Sequence, residues 1–272
     1  MASNHHTIII AEIGENHLGN MDMAKVMIEQ AADAGADIVK FQSYRGVDVS
    51  ETDPEREWFG EVELSEEDHR DLMAYAEQHG IDFMSSPFSI ERARLLCEGL
   101  GLKRIKIASS EMTNHRLLDY VNAHADTVFL STGLATLDEV RESVSHLADV
   151  KDVYVLHCVT QYPCDDGDAN LLAIRALQTG FPDHKIGYSD HTIGLAAPLA
   201  AVGMGAQVIE KHYTLAKSLP GTDHILSVDP GEFREMVAEI RRLETMLGSG
   251  EKTPRASEME IRDMVRGRWA KD

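Results

Sequence analysis

Cysteine is scarce in this sequence of 272 residues, and its arrangement argues against a disulfide framework. The three cysteines, Cys97, Cys158 and Cys164, are odd in number and form no C-x-x-C motif. This pattern is typical of a reduced, cytoplasmic protein. Cys97 lies in a predicted helix and Cys158 in a predicted strand, where buried structural thiols are common. A catalytic thiol is the alternative.

Positive charge and long apolar runs are also scarce. The sequence has 26 lysines and arginines against 46 acidic residues, a formal net charge of −20. A surface this acidic argues against binding to nucleic acid or to an anionic membrane. No apolar run reaches the roughly 18 residues of a membrane span, and the first residues lack the pattern of a signal peptide. An anionic substrate therefore needs a local cluster of cations and amides.

Motifs of nucleotide-binding and hydrolase sites are missing as well. The sequence contains no G-x-G-x-x-G, no Walker motif and no G-x-S-x-G. Dinucleotide binding, ATP binding and a nucleophile elbow therefore have no motif support.

Apolar runs alternate with helical patterns along the chain, and eight of these runs are predicted to be strands. The predicted strands are residues 7–14, 37–44, 81–87, 104–111, 127–133, 153–159, 185–190 and 207–214. Capping signals and apolar spacings predict helices at residues 21–35, 65–80, 136–148 and 229–248. The alternation, in a chain that is 43% hydrophobic, predicts an α/β fold, a (β/α)8 TIM barrel, over residues 1–247. A doubly wound open sheet is the alternative.

Two segments lie outside this regular pattern. Residues 248–272 are charged and weakly apolar, and we expect a surface tail or linker there. The longest connection, residues 45–64, is predicted to form a lid or an interface loop.

Polar residues lie in or just past the ends of the predicted strands, and the carboxyl ends of barrel strands meet around one axis. The candidates are Glu12, Asn16, His17, Lys40, Gln42, Ser85, Ser86, Lys106, Ser109, Glu111, Ser131, Thr132, His157, Thr160, Tyr162, Ser189, Asp190, His191, Glu210 and His212.

Two histidines end the last two predicted strands, which are neighbours in a closed barrel. His191 and His212 can therefore approach each other at its mouth. Two imidazoles with nearby carboxylates suit a catalytic divalent cation, and Mn²⁺, Fe²⁺, Co²⁺ and Zn²⁺ all fit this ligand type. The alternative is that each histidine is a satisfied polar residue or an acid–base group.

Two lysines, Lys40 and Lys106, interrupt strands that are otherwise apolar. A lysine inside a buried strand is unfavourable unless it is paired or faces a polar cavity. The two lysines either pair with barrel carboxylates such as Glu12 and Glu111, or bind an anion together with strand-end serine hydroxyls.

Several segments, in their order and spacing, resemble the sialic acid (N-acetylneuraminate) synthase family. They are IAEIGENHLGN, VKFQSY, SSPFS, KIASSE, LSTG, LHCVTQYP, IGYSDHTIG and IEKHYTL with PGTDH, and the match runs from Ile8 to about Leu247. The resemblance implies a (β/α)8 barrel that condenses phosphoenolpyruvate with an open-chain N-acylated amino sugar such as N-acetylmannosamine. The products are a nine-carbon 2-keto acid of the nonulosonic type and inorganic phosphate.

The same resemblance implies roles for individual residues. His191 and His212 match the family's metal ligands, and Mn²⁺ is the expected ion. The positions that bind phosphoenolpyruvate correspond to Lys40, Ser86, Lys106, Ser109 and Ser189. The positions near the acceptor sugar correspond to Glu12, Gln42, Tyr162 and Asp223. Glu111 matches an acidic position beside the reacting carbons. We count Glu12, Glu111 and Lys106 as catalytic, and either glutamate is a candidate to activate the water that adds at carbon 2.

This sequence departs from the family pattern in two ways. Thr160 stands where many relatives have asparagine, which shortens a predicted substrate contact. Relatives continue into an antifreeze-like domain that supplies an arginine to the acceptor of a partner subunit, whereas the match here covers only the catalytic barrel. The resemblance also implies a homodimer. Two alternatives stay open, namely the same chemistry with another aldehyde acceptor, and a barrel that binds phosphoenolpyruvate or metal without catalysis.

Overall fold

Parallel strands and helices alternate along the chain. The structure is a computed structural model that describes residues 6–269, so residues 1–5 and 270–272 of the predicted barrel and tail lie outside it. The strands are β1 (Ile8–Gly14), β2 (Ile38–Ser43), β3 (Asp82–Pro87), β4 (Arg104–Ile107), β5 (Thr127–Ser131), β6 (Asp152–Cys158), β7 (Lys185–Asp190) and β8 (Val208–His212). The helices are α1 (Met21–Asp33), α2 (Arg56–Val62), α3 (Glu66–Gln78), α4 (Ile90–Arg94), α5 (His115–His124), α6 (Leu137–Ser145), α7 (Ala173–Gly180), α8 (Ala196–Gly203), α9 (Pro230–Leu247) and α10 (Ala256–Arg266).

The strands form one sheet that closes almost completely on itself. Paired strands follow the order β3-β2-β1-β8-β7-β6-β5-β4. The first strand pairs in parallel with the last, with Ile10 opposite Glu210, and β3 packs beside β4. The predicted TIM barrel is therefore confirmed, because a doubly wound sheet leaves its first and last strands unjoined.

Seven of the eight predicted strands agree with the structure to within two residues at each end. The fourth prediction was wrong, since β4 stops at Ile107 and residues 109–111 form a 3₁₀ turn. The turn brings the Ser109 hydroxyl to the next strand's loop, where it accepts a hydrogen bond from the Gly133 amide at 3.0 Å. This cross-strand contact is not visible in the apolar pattern of 104–111.

The four predicted helices are present as α1, α3, α6 and α9, and three of them begin with a capping box. The caps are Ser65 with Asp68, Thr136 with Glu139, and Asp229 with Glu232. In each, the cap side chain accepts from a backbone amide that the first helical turn leaves unpaired. Local sequence therefore fixes where these helices start.

The barrel interior has an apolar floor and a polar mouth. The floor consists of Ile10, Ile38, Met84, Phe129, Tyr154, Leu156 and Val208. Side chains alternate along a strand, so Val208, Glu210 and His212 all point inward from β8, successively nearer the mouth. The opposite faces of the strands pack against the surrounding helices in a larger apolar core. This division places the polar residues at the carboxyl ends of the strands.

The segments outside the regular pattern contain helices of their own. The connection 45–64 includes α2, and the tail that follows Leu247 includes α10, in which no residue is buried. The functional division at residue 247 stays a prediction. Within residues 6–269, no helix has both the length and the apolar character needed to cross a membrane.

Candidate functional site

A cavity of about 580 Å³ opens at the carboxyl ends of the strands. It brings together every residue to which the sequence assigned a role. They are Glu12, Lys40, Gln42, Ser86, Lys106, Ser109, Glu111, Thr160, Tyr162, Ser189, His191, His212 and Asp223. Their individual roles stay predictions.

The two inward lysines lie deep in this cavity and share a network of carboxylates. Lys40 Nζ lies 2.7 Å from Glu12 Oε2 and 3.9 Å from Glu210 Oε2. Lys106 Nζ lies 3.6 Å from Glu210 Oε1, which also accepts a hydrogen bond from the Ser189 hydroxyl at 2.8 Å. The carboxylate next to Lys106 is therefore Glu210 and not the expected Glu111. The first alternative for the lysines, pairing with barrel carboxylates, is therefore confirmed. Both lysines also line the cavity, and their binding to an anion stays a prediction.

The two buried carboxyls have pKa values displaced in opposite directions. Burial raises the pKa of Glu12 above 4.5, and the negative charge of Glu210 adds to this, although Lys40 opposes it. Burial acts in the same direction on Glu210, but Lys106 and Lys40 outweigh it and hold the pKa of Glu210 below 4.5. Carboxyls separated in this way suit different tasks. The Glu12 carboxyl therefore takes up a proton more readily than the Glu210 carboxyl does.

Local backbone structure aims Glu12 into the cavity. The pairing of β1 with β2 is irregular between Glu12 and Gly14. The Gln42 side-chain amide donates to Glu12 Oε1 at 3.2 Å. Gly14 has a φ of +54°, and a Cβ there would lie 3.1 Å from Glu12 Oε1 and 3.3 Å from Gln42 Nε2. The glycine therefore leaves room for the paired side chains.

The two histidines face each other across the same cavity, with ring centroids 5.3 Å apart. His191 Nδ1 lies 2.7 Å from the Val159 carbonyl oxygen, and His212 Nδ1 lies 3.3 Å from Asp223 Oδ2. His191 therefore has a hydrogen-bonding contact at Nδ1. His212 Nδ1 has Asp223 only at ion-pair distance and makes no hydrogen bond within the described residues. Imidazoles that ligate metals are oriented by such contacts.

This donor set fits part of a divalent metal site. Within residues 6–269, no three histidine, cysteine or acidic residues lie close enough together to hold an ion alone. The protein would therefore supply two imidazoles, with the remaining positions left to substrate or water, as in catalytic sites. Two imidazole ligands fit Mn²⁺, Fe²⁺, Co²⁺ or Zn²⁺ better than Mg²⁺.

Buried hydroxyls in the cavity wall have unused hydrogen-bonding capacity. Ser131 Oγ and Thr160 Oγ1 are buried without a hydrogen-bond partner in the described part of the chain. Buried polar groups left unpaired are costly, which suits groups that receive a ligand. Gly133 allows this arrangement, because a Cβ there would lie 2.2 Å from Thr160 Oγ1 and 2.8 Å from Ser109 Oγ.

The comparison with known proteins adds independent information. The model of the NeuB family matches residues 27–252. This chain belongs to the NeuB family. The N,N'-diacetyllegionaminic acid synthase of Legionella pneumophila is 42% identical over 282 residues, which cover 95% of this chain and 78% of that protein. The human N-acetylneuraminate-9-phosphate synthase is 34% identical, and the match covers 97% of this chain and 78% of that protein.

A solved structure agrees with this membership. The N-acetylneuraminic acid (sialic acid) synthetase of Leptospira borgpetersenii, solved in complex with citrate, superposes with a TM-score of 0.91 at 36% identity. The match covers 97% of this chain and 93% of that one. This NeuB-family chain is therefore a sialic acid synthase-like enzyme, as the sequence motifs predicted.

Among the cavity residues of this NeuB-family chain to which the sequence assigned no role are Glu210, a strand-end candidate, and Glu15, which was not a candidate. Glu210 carried a signal, since it shares the inward face of β8 with His212. No sequence signal indicated Glu15, because it lies in the loop after β1. There the Thr222 hydroxyl donates a hydrogen bond to the Glu15 carboxyl at 3.3 Å. Burial, with Asp223 and Glu55 nearby, raises the pKa of Glu15 to about 7.

Some strand-end candidates do not line the cavity. His157 Nε2 lies 2.9 Å from the Ala169 carbonyl oxygen, and Asp190 pairs with Lys211. Asn16 donates to the Tyr213 carbonyl oxygen at 2.9 Å. The others in this group are His17, Ser85 and Thr132.

Proposed function

We propose that this NeuB-family enzyme condenses phosphoenolpyruvate with the aldehyde of an open-chain N-acylated amino sugar. The products are a nonulosonic acid and inorganic phosphate. The observation that carries the proposal is the meeting of two kinds of group in one cavity. Buried Lys40 and Lys106 lie on one side, and the facing imidazoles of His191 and His212 lie on the other.

The lysine side of the cavity suits a compact molecule with several negative charges. The chain has a net charge of −20, so two buried ammonium groups are a specific provision for an anion. Serine hydroxyls surround them, including Ser86, which accepts from Lys40 Nζ at 3.1 Å. Such fixed donors hold phosphate and carboxylate still and stabilise charge that develops during reaction.

The histidine side suits a divalent cation, and we expect Mn²⁺. His191 and His212 would hold it through their imidazole nitrogens. When bound, such a cation supplies Lewis-acid polarisation of a carbonyl oxygen. Tyr162 lies against His191, with ring centroids 4.1 Å apart, so it is placed to contact a substrate beside this site.

The proposed reaction balances without an oxidant or a reductant. Carbon 3 of phosphoenolpyruvate attacks the aldehyde carbon, and the aldehyde oxygen gains a proton and becomes a hydroxyl. Water adds at carbon 2 and gives one proton to a carboxylate. Phosphate then leaves carbon 2 with the second proton, and carbon 2 becomes a ketone. Glu12 is our first candidate for the carboxylate because burial raises its pKa. Glu111 is the second.

The outer cavity favours an acceptor without a phosphate group. Glu15, Asp48, Glu55 and Asp223 all line it. Arg45 lies there too, but its Nε and Nη2 each donate to Asp48 at 2.7 Å. A phosphorylated acceptor would place two more negative charges among these carboxylates. We therefore favour a neutral sugar, as for a legionaminic-type synthase, over the phosphorylated acceptor that the human relative's product name implies.

The test is phosphate release from phosphoenolpyruvate with Mn²⁺ and a panel of aldehyde sugars. Glu12→Gln and Glu111→Gln are compared with Glu61→Gln, which changes an exposed carboxylate of α2. We expect release with at least one N-acylated sugar, loss of turnover in Glu12→Gln, and no change in the control. Near-normal turnover in both cavity variants would exclude Glu12 and Glu111 as the group that activates water. No release with any acceptor would favour the non-catalytic alternative.

The homodimer implied by the resemblance and the cytoplasmic location indicated by the cysteines stay predictions. Sedimentation of the purified chain tests the first.

A further inference from the structure

An ion pair that the proposed chemistry does not use lies behind the mouth of the barrel. Lys211 Nζ is 2.7 Å from Asp190 Oδ2, and both side chains have 0% exposure. Lys211 lies between Glu210 and His212 in β8, so alternation turns it away from the cavity. Asp190 directly precedes His191 at the end of β7. The pair therefore joins the two strands that carry the histidines.

Both oxygens of the Asp190 carboxylate have partners, and one of these partners is Thr192, the residue after His191. Asp190 Oδ1 accepts from the Thr192 amide at 2.8 Å and from the Tyr188 hydroxyl at 3.0 Å. Lys211 Nζ donates also to the Thr192 carbonyl oxygen. The backbone of Thr192 is thus held at its N–H by one member of the pair and at its carbonyl by the other.

The backbone of His191 is enclosed by these contacts. The residue before it carries the carboxylate, and the residue after it is held at both polar backbone groups. Its own carbonyl oxygen accepts from the Cys164 amide at 2.9 Å. Lys211 is meanwhile the chain neighbour of His212, so the ion pair is linked through the backbone to both histidines.

We infer that Lys211 and Asp190 are positioning residues that set the separation and orientation of His191 and His212 from behind the barrel wall. The inference rests on the proposed function, since it takes the two imidazoles to be metal ligands. A purely stabilising role explains less. A buried ion pair is often no more stabilising than apolar residues of similar volume, although breaking it by removing one partner is strongly destabilising.

This asymmetry gives a direct experiment. Lys211→Met alone leaves a buried carboxylate without its cation, so it tests mainly folding. The double variant Lys211→Met/Asp190→Asn removes both charges and keeps the shape of the Asp190 side chain. Folding is followed by far-ultraviolet circular dichroism, and Mn²⁺ affinity by the electron paramagnetic resonance signal of the free ion. Neither measurement depends on turnover.

We expect the double variant to fold and to bind Mn²⁺ about 10- to 100-fold more weakly, the usual effect of losing groups that orient metal ligands. The control is Lys185→Met/Asp152→Asn, which removes the same two charges. That pair has the same 2.7 Å separation but is partly exposed. It lies at the opposite end of β7, so its removal should leave Mn²⁺ affinity unchanged.

Each outcome bears on the inference. A folded double variant with unaltered Mn²⁺ affinity overturns it, as does an equal loss in the control. If the double variant does not fold, Mn²⁺ affinity is measured for Lys211→Arg instead. This substitution keeps the positive charge but moves the donor atoms, so an unaltered Mn²⁺ affinity would overturn the inference. If the unaltered protein does not bind Mn²⁺, the proposed metal site and this inference are both overturned. If the unaltered protein binds Mn²⁺ but the double variant binds it equally well, only the inference is overturned.

Discussion

Replacing Glu210 with glutamine should destabilise the protein and also change how it responds to its substrate. Glu210 lies 3.6 Å from Lys106 and 3.9 Å from Lys40, and its side chain is 5% exposed. Within residues 6–269, the variant leaves Lys40 paired with Glu12 and Lys106 without an ion-pair partner. Removing one partner of a buried pair costs about 3–5 kcal/mol. Glutamine can still accept from Ser189, so we expect a loss of about 3 kcal/mol, at the lower end of that range.

The substrate response gives the prediction its second part. Under the proposed function, phosphoenolpyruvate has to compete with Glu210 for the lysines of the unaltered protein. In the variant this competition is removed, so phosphoenolpyruvate should stabilise the variant more than the parent. A ligand that binds only the folded state raises stability in proportion to the logarithm of its concentration over its Kd.

The assay is urea unfolding with and without phosphoenolpyruvate, with Glu239→Gln as the control. Glu239 pairs with Arg242 at 3.3 Å on the surface of α9, and loss of an exposed pair costs at most about 1 kcal/mol. A thermal scan should show a fall in Tm of roughly 6–12 °C for Glu210→Gln, at about 2–4 °C per kcal/mol for a chain of this size. The reasoning is refuted if Glu210→Gln costs less than about 1 kcal/mol, or if phosphoenolpyruvate stabilises both proteins equally.

Three further predictions follow from the cavity. The pKa of Glu15 is raised from 4.5 to about 7, so the folded protein loses stability as the pH rises between these values. Glu15→Gln should therefore be more stable than the parent by up to about 3 kcal/mol at pH 8 and equally stable at pH 4. Urea unfolding at both pH values measures this difference. Gly133→Ala should displace Thr160 and Ser109, because its Cβ would otherwise meet their side chains within 3 Å. We expect the KM for phosphoenolpyruvate to rise roughly tenfold with unchanged circular dichroism. An unchanged KM would contradict the predicted contact of these two residues with the substrate. N-acetylmannosamine should have a kcat/KM at least about tenfold above that of its 6-phosphate, and a preference for the phosphate would refute the neutral-acceptor proposal.

Local patterns explain why the sequence predicts so much of this fold. The alternation of Val208, Glu210 and His212 fixes which side chains of β8 face inward, and it needs no knowledge of the other strands. The caps at Ser65, Thr136 and Asp229 likewise satisfy amide groups only three residues away. Strand-end residues could be grouped into one site because a closed parallel barrel brings all carboxyl ends of its strands to one rim.

Predictions failed where the deciding contact joins distant parts of the chain. The predicted strand 104–111 continued past Ile107, but residues 109–111 form a 3₁₀ turn in which Ser109 contacts Gly133. Glu15 lies in a loop, where no periodicity reveals which way a side chain points.

The sequence by itself determined the eight-stranded barrel, the inward direction of the two lysines and the meeting of the two histidines at the mouth. Each of these follows from a repeat of two residues along a strand and from the count of strands. Only the tertiary structure decided that Lys106 pairs with Glu210 and not with Glu111, and that the pKa values of Glu12 and Glu210 separate. Those outcomes depend on the register with which the sheet closes and on the distances between charges from different strands, and no local pattern carries that information.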